Sequence, residues 1–186
     1  MSTLKKLVRG IAVTAAALAL ALTSTVSSNA EPDTRAVMDV QKVDGASAQA
    51  YGHIINNNSG MCLAVPGGST QEGLGLIQWG CGGWEDHYWQ LEPWDVNGVR
   101  HYQIRNARSQ QCLAVPGNSQ ERGVQVIQWG CGQFPDHFWR VIPAGGKSQL
   151  KNFGTGQCLA IPGASKVQGE RVIQWPCGTF PDHYWR

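Results

Sequence analysis

Residues 62–89 read CLAVPGGSTQEGLGLIQWGCGGWEDHYW, and the same skeleton returns at 112–139 as CLAVPGNSQERGVQVIQWGCGQFPDHFW and at 158–185 as CLAIPGASKVQGERVIQWPCGTFPDHYW. The copies align without a gap, and the match extends upstream to Asn56, Asn106 and Asn152. Self-similarity at a period of roughly 45 residues identifies a repeat protein. A unit this short cannot bury its own apolar face, so the three copies share one core.

Within each unit the pattern is one of short strands and turns. Ile54, Ile104 and Leu150 precede the repeated Asn by two residues, and the CLAV or CLAI run stops at Pro-Gly, a strong turn signal. Gly73, Gly123 and Gly169 precede the apolar stretch that enters IQW, and a last segment runs through the final Trp into Leu91 or Val141-Ile142. No helical period competes. Four strands in each of three units predict about twelve strands; a propeller needs at least about four blades, and an open solenoid leaves bare edges. The expected fold is all-β, a closed pseudo-threefold barrel with hairpin caps over residues 48–186, its units at about 48–93, 97–143 and 147–186.

Outside the repeats, Lys5, Lys6 and Arg9 precede an apolar run from Ile11 to Leu22, and Ser28-Asn29-Ala30 supplies the small residues read by a signal peptidase. Residues 1–30 are therefore expected to be a secretory signal peptide, and the apolar run is too short to span a bilayer well. Without them, 12 Lys and Arg face 13 Asp and Glu, and the formal charge falls from +2 to −1. The basic balance belongs to the precursor, which argues against a nucleic-acid or anionic-membrane partner. Residues 31–47 are polar, lack the repeat signature, and read as a flexible leader.

All six cysteines lie in the repeats, as Cys62 and Cys81, Cys112 and Cys131, and Cys158 and Cys177. The pairing that respects the repeat closes each unit on itself. In an oxidising compartment each crosslink stabilises the fold by about 3 kcal/mol through restriction of the unfolded chain. The competing reading is a zinc site of two Cys and a His per unit, which lacks the short CxxC knuckle of structural zinc. No metal or other cofactor is expected.

Three units of this length, each with CL-V, an apolar-Gln-Trp-x-Cys segment and a terminal polar pair before x-Trp, resemble the ricin B-type β-trefoil lectins and the related family 13 carbohydrate-binding modules. The resemblance covers residues 48–186 and implies a β-trefoil that binds glycans without catalysis. In that family a competent unit places an Asp two residues after the first Cys, an aromatic two residues before the second Cys, and an Asn-Gln pair ahead of the last Trp. Here the first position is Ala64, Ala114 and Ala160, the aromatic is Trp79, Trp129 and Trp175, and the polar pair is Asp86-His87, Asp136-His137 and Asp182-His183. The expected site is therefore a relocated one, in which these Asp residues accept sugar hydroxyls while an aromatic face covers the ring.

The placement of the aromatic depends on strand phase. If Ile77 faces the core, Gln78, Gln128 and Gln174 face out as ligand contacts and Trp79, Trp129 and Trp175 face in; Trp84, Phe134 and Phe180 then supply the stacking surface. Trp89, Trp139 and Trp185 are expected in the core, and the His and Asp residues also have structural readings, a ring nitrogen tied to the backbone and a turn cap respectively. Catalysis is not expected, because Asp and His adjacent on a strand diverge and because no Ser elbow or HExxH pattern occurs. The alternative function is a protein-interaction or inhibitor trefoil that has lost sugar binding, against which stands the identity of the Asp, His and IQW positions in all three units.

Overall fold

Each Leu-Ala-Val or Leu-Ala-Ile run is cut short by a proline that offers no N–H to a sheet, and in the computed structural model every copy becomes the same three-residue strand. The structure describes residues 38–43, 45 and 48–186. Strand β1 (Val40–Lys42) precedes the repeats. The first unit contains β2 (Gly52–His53), β3 (Cys62–Ala64), β4 (Ile77–Trp79) and β5 (Tyr88–Val96). The second contains β6 (Val99–Asn106), β7 (Cys112–Ala114), β8 (Ile127–Trp129) and β9 (Trp139–Pro143), and the third β10 (Ser148–Asn152), β11 (Cys158–Ala160) and β12 (Ile173–Trp175). The fourth segment of the third unit is reduced to bridges from Trp185 to Ser148 and Asn56. All named pairings are antiparallel, with β5–β6 and β9–β10 joining successive units. The barrel closes where the Ile55 N–H donates to the Arg186 carbonyl at 2.8 Å and the Arg186 N–H donates to that of Ile55 at 3.0 Å. The fold is a β-trefoil, as the repeats imply.

The threefold axis is visible in the backbone. Leu76 N–H donates to the Val126 carbonyl at 2.9 Å, Val126 to Val172 at 3.0 Å, and Val172 back to Leu76 at 2.9 Å. Each unit thereby completes the hydrogen bonding of the next, the structural reason that one copy cannot stand alone. Leu76, Val126 and Val172 join Leu63, Leu113, Leu159 and the three Trp residues Trp89, Trp139 and Trp185 in a single core. The indole N–H of each core Trp donates to the carbonyl of that Leu in its own unit, at 2.9, 2.9 and 3.0 Å, so burial leaves no orphan donor. Disulfides join Cys62 to Cys81, Cys112 to Cys131 and Cys158 to Cys177, the pairing in which each unit closes its own loop.

The leader departs from expectation. Val40, Gln41 and Lys42 pair with Val96, Asp95 and Trp94 on the outer edge of β5. The β5–β6 hairpin turns at Asn97-Gly98, both with positive φ, and the Asp39 N–H donates to the Asn97 side chain at 2.9 Å. Polar composition does not oppose pairing with an open strand edge, because the backbone makes the bonds. Within the stretch read as a flexible leader, residues 40–42 are instead held as a strand. Residues 1–30, expected to be a signal peptide, lie outside the described residues, and among the described residues no helix is long and apolar enough to cross a membrane.

Candidate functional site

Each unit carries an open groove between its Pro-Gly turn, its IQW strand and the turn that bears Asp and His. The first, of about 620 Å³, is lined by Ala64, Pro66, Trp79, Trp84, Asp86 and His87 among others. Its counterparts in the second and third units enclose about 550 Å³ and about 490 Å³ with the equivalent residues. Ala64, Ala114 and Ala160 form part of each lining, where the family places its carboxylate.

The strand phase is the reverse of the one that assigned Gln78, Gln128 and Gln174 to ligand. Leu76, not Ile77, faces the core, so alternation turns Gln78 inward and Trp79 outward. All three Gln residues are 0% exposed. Gln78 donates from Nε2 to the Ser165 and Val167 carbonyls, Gln128 to those of Ser69 and Gln71, and Gln174 to those of Ser119 and Glu121, at 2.7–3.0 Å. They are staples between neighbouring units, and their assignment as exposed ligand contacts is corrected. Trp79, Trp129 and Trp175 are 38%, 42% and 38% exposed, with one edge laid against Gly169, Gly73 and Gly123 of the adjacent unit. Gly73 has φ +81° and a Cβ there would stand 3.3 Å from the Trp129 ring, so both backbone and contact require glycine. Trp84, Phe134 and Phe180, at 60%, 57% and 63% exposure, form a second aromatic wall.

Asp and His do not lie on a strand. They end single 3₁₀ turns at Glu85–His87, Pro135–His137 and Pro181–His183, where successive side chains are about 120° apart rather than opposed. The His Nε2 lies 3.4, 3.6 and 3.6 Å from the Asp Oδ2 in the three units, so the expected divergence of the pair is corrected. Gly132 and Gly178 donate their N–H to Nδ1 of His137 and His183 at 3.2 Å, which leaves the ring proton on Nε2, facing Asp. Burial, opposed by the neighbouring carboxylate, holds His87, His137 and His183 below the usual imidazole range, and at His87 the nearby His53 adds to the lowering. Burial pushes the Asp136 carboxyl up, against the attraction of His137 and backbone N–H contacts. Each imidazole thus lies beside the nearly buried carboxylate of its own turn.

The repeated Asn has a role that sequence pattern did not assign. Asn106 Nδ2 donates to the Asp86 carbonyl at 2.9 Å, Asn152 to Asp136 at 2.7 Å, and Asn56 to Asp182 at 2.7 Å. Each groove is therefore positioned by the next unit around the axis. The groove rims were also missed: Arg108, 3.6 Å from Glu85 at the first groove, and Arg171 at the third lie where the repeats differ, and divergence among copies was the signal. No metal set emerges from the described residues; the only cluster of potential ligands places His53 beside Cys62 and Cys81, whose sulfurs are bonded to each other.

Residues 50–185 match the family described as the ricin-type beta-trefoil lectin domain, and the chain belongs to it. This is a family of carbohydrate-binding domains rather than catalytic ones. Among solved structures, a designed threefold-symmetric protein, ThreeFoil, is similar at 28% identity and TM-score 0.69, over 73% of this chain and 96% of that one. The exo-β-1,3-galactanase 1,3Gal43A of Clostridium thermocellum aligns at 24% identity and TM-score 0.69 over 78% of this chain, which spans only 31% of the galactanase. The Macrolepiota procera ricin B-like lectin, solved with lactose, aligns at 16% identity and TM-score 0.61 over 77% of this chain and 96% of its own. No curated protein sequence matches the chain.

Proposed function

We propose that this is a secreted, non-catalytic lectin whose three grooves each bind one sugar of a glycan. The observation that carries the reading is the threefold recurrence of an aromatic wall beside a carboxylate: Trp79 and Asp86, Trp129 and Asp136, Trp175 and Asp182. The ring stacks on an exposed indole or phenyl face, and the Asp accepts its hydroxyl hydrogens. His87, His137 and His183 hold the carboxylates in place. Three disulfides and the sequence of residues 1–30 support an extracellular setting. The lactose complex of the Macrolepiota lectin makes galactosides the first sugars to test.

Shallow single-sugar grooves bind at about 1 mM, while a polymer that engages two or three of them gains about 10² to 10⁴ in avidity. The test is Asp86→Asn, Asp136→Asn and Asp182→Asn in one protein, compared with wild type on a glycan array and in thermal unfolding. Loss of glycan binding with an unchanged melting temperature is expected. Retained binding overturns the assignment of the carboxylates, and a protein–protein module would show no glycan on the wild-type array.

A further inference from the structure

The third groove differs from the other two in charge. Arg171 forms part of its wall with Trp175 and Asp182, whereas the residues at the same repeat position, Gly75 and Gln125, line neither of the other grooves. Arg171 Nη1 donates to the Gly123 carbonyl at 3.2 Å, one bond of a five-donor fork. A second guanidinium, that of Arg122, lies outside the groove lining, in a hollow beside Pro176, and stands 5.9 Å from the Trp175 ring centroid.

The origin of that second cation lies in the seam between units. Glu72 and Gln168 each accept a backbone N–H from the neighbouring unit, from Gly130 at 2.8 Å and Gly80 at 3.3 Å. At the third seam Pro176 replaces the glycine and has no N–H to give, and the matching residue is Arg122, which has nothing to accept with. Its side chain lies over Trp175 instead. Among the described residues neither Arg122 nor Arg171 is in an ion pair, while Arg108 at the first groove is paired with Glu85.

We propose that the third groove selects a sugar that bears a carboxylate, a uronosyl residue of a polysaccharide. Its ring lies on Trp175, its hydroxyls donate to Asp182, and its carboxylate meets the guanidinium of Arg171, whose planar fork matches that geometry, while Arg122 beside the groove adds positive charge close to Trp175. The inference rests on the reading of the grooves as sugar sites. Near-neutral net charge over the mature chain means that such a preference reports the groove rather than the whole protein.

The test is an NMR titration of the disulfide-bonded protein that follows the indole N–H resonances of Trp79, Trp129 and Trp175. The probes are galactose against galacturonate and glucose against glucuronate, with galactose 6-sulfate as a second anion. At Trp175 the uronate of a pair is expected to bind about tenfold more tightly than its neutral partner. Trp79 and Trp129 are expected to show no such preference. Arg122→Gln with Arg171→Gln should abolish the preference while the neutral sugar still shifts Trp175, and a rise from roughly 50 to roughly 500 mM salt should weaken it. Equal affinity for both members of each pair at Trp175, or a preference that survives the double substitution, overturns the inference and leaves the lectin reading standing. Tight binding of the sulfate ester alone overturns the choice of a carboxylate. If no probe shifts any of the three resonances, the groove reading fails and this inference with it.

Discussion

The seams between units are built on the IQW strands and the rims of the grooves on turns, and the two vary in opposite ways. At the seams, Gln78, Gln128 and Gln174 are identical and make the same pair of buried bonds in every unit. At the rims, Glu85 with Arg108, Pro135 with Gly154, and Pro181 with Asn58 occupy matching positions with different chemistry. Identity among repeats therefore marks what the shared fold demands as readily as what a ligand demands. Difference marks where one unit is free to bind something its siblings do not.

The largest expected effect sets the two classes of Trp apart. Trp139→Ala removes a fully buried ring and its bond to Leu113, and denaturant unfolding should show a loss of about 3–5 kcal/mol. Trp129→Ala, only ten residues earlier, should cost about 1 kcal/mol or less while removing sugar binding at the second groove. A comparable loss of stability from both would erase the distinction between core and groove aromatics.

Next in size are the staples. Gln128→Leu leaves the Ser69 and Gln71 carbonyls without their donor, and a loss of about 1–3 kcal/mol is expected, seen as a lower denaturation midpoint. Sugar binding at the first and third grooves should persist. Loss of binding with unchanged stability would return Gln128 to the ligand.

A smaller effect concerns pH and stability. His87, His137 and His183 are held below the usual imidazole range by burial, against the pull of Asp86, Asp136 and Asp182, so the unfolded chain takes up protons that the native protein refuses. Their contribution is complete above about pH 6.5, declines as pH falls through that value, and levels off once the native imidazoles protonate. Melting temperatures measured from pH 8 to 5 should fall accordingly, and replacement of the three His by Gln should flatten that part of the curve. A curve of the same shape in the variant would mean that other groups govern it.

The smallest expected effect is local. Because burial raises the Asp136 carboxyl, sugar-induced shifts at Trp129 should weaken on acidification while the pH is still above the ordinary carboxylate range. Asp136→Asn should remove both the binding and its pH dependence. Binding at Trp129 that stays constant through the ordinary carboxylate range would show that the carboxyl is not a ligand group.

Repetition determined the architecture: three gapless copies with Cys, Pro-Gly and IQW in register leave a closed pseudo-threefold barrel, its disulfide pairing and its buried terminal Trp residues legible without coordinates, and the resemblance to a known family made that barrel a trefoil. The candidate carboxylates and their recurrence were legible too. Strand phase was not, because the adjacent apolar residues Leu76 and Ile77 lie on opposite faces of the strand, and the choice between them as the inward one is made at the threefold axis by bonds between units. That single choice buried the Gln residues and exposed Trp79, Trp129 and Trp175. Nor could the sequence reveal that a 3₁₀ turn brings Asp and His together, that Asn106 positions Asp86 from the next unit, or that Arg122 lies over Trp175. A repeat pattern specifies what each unit does within itself; contacts between units depend on how the copies meet, and only their packing around the axis decides them.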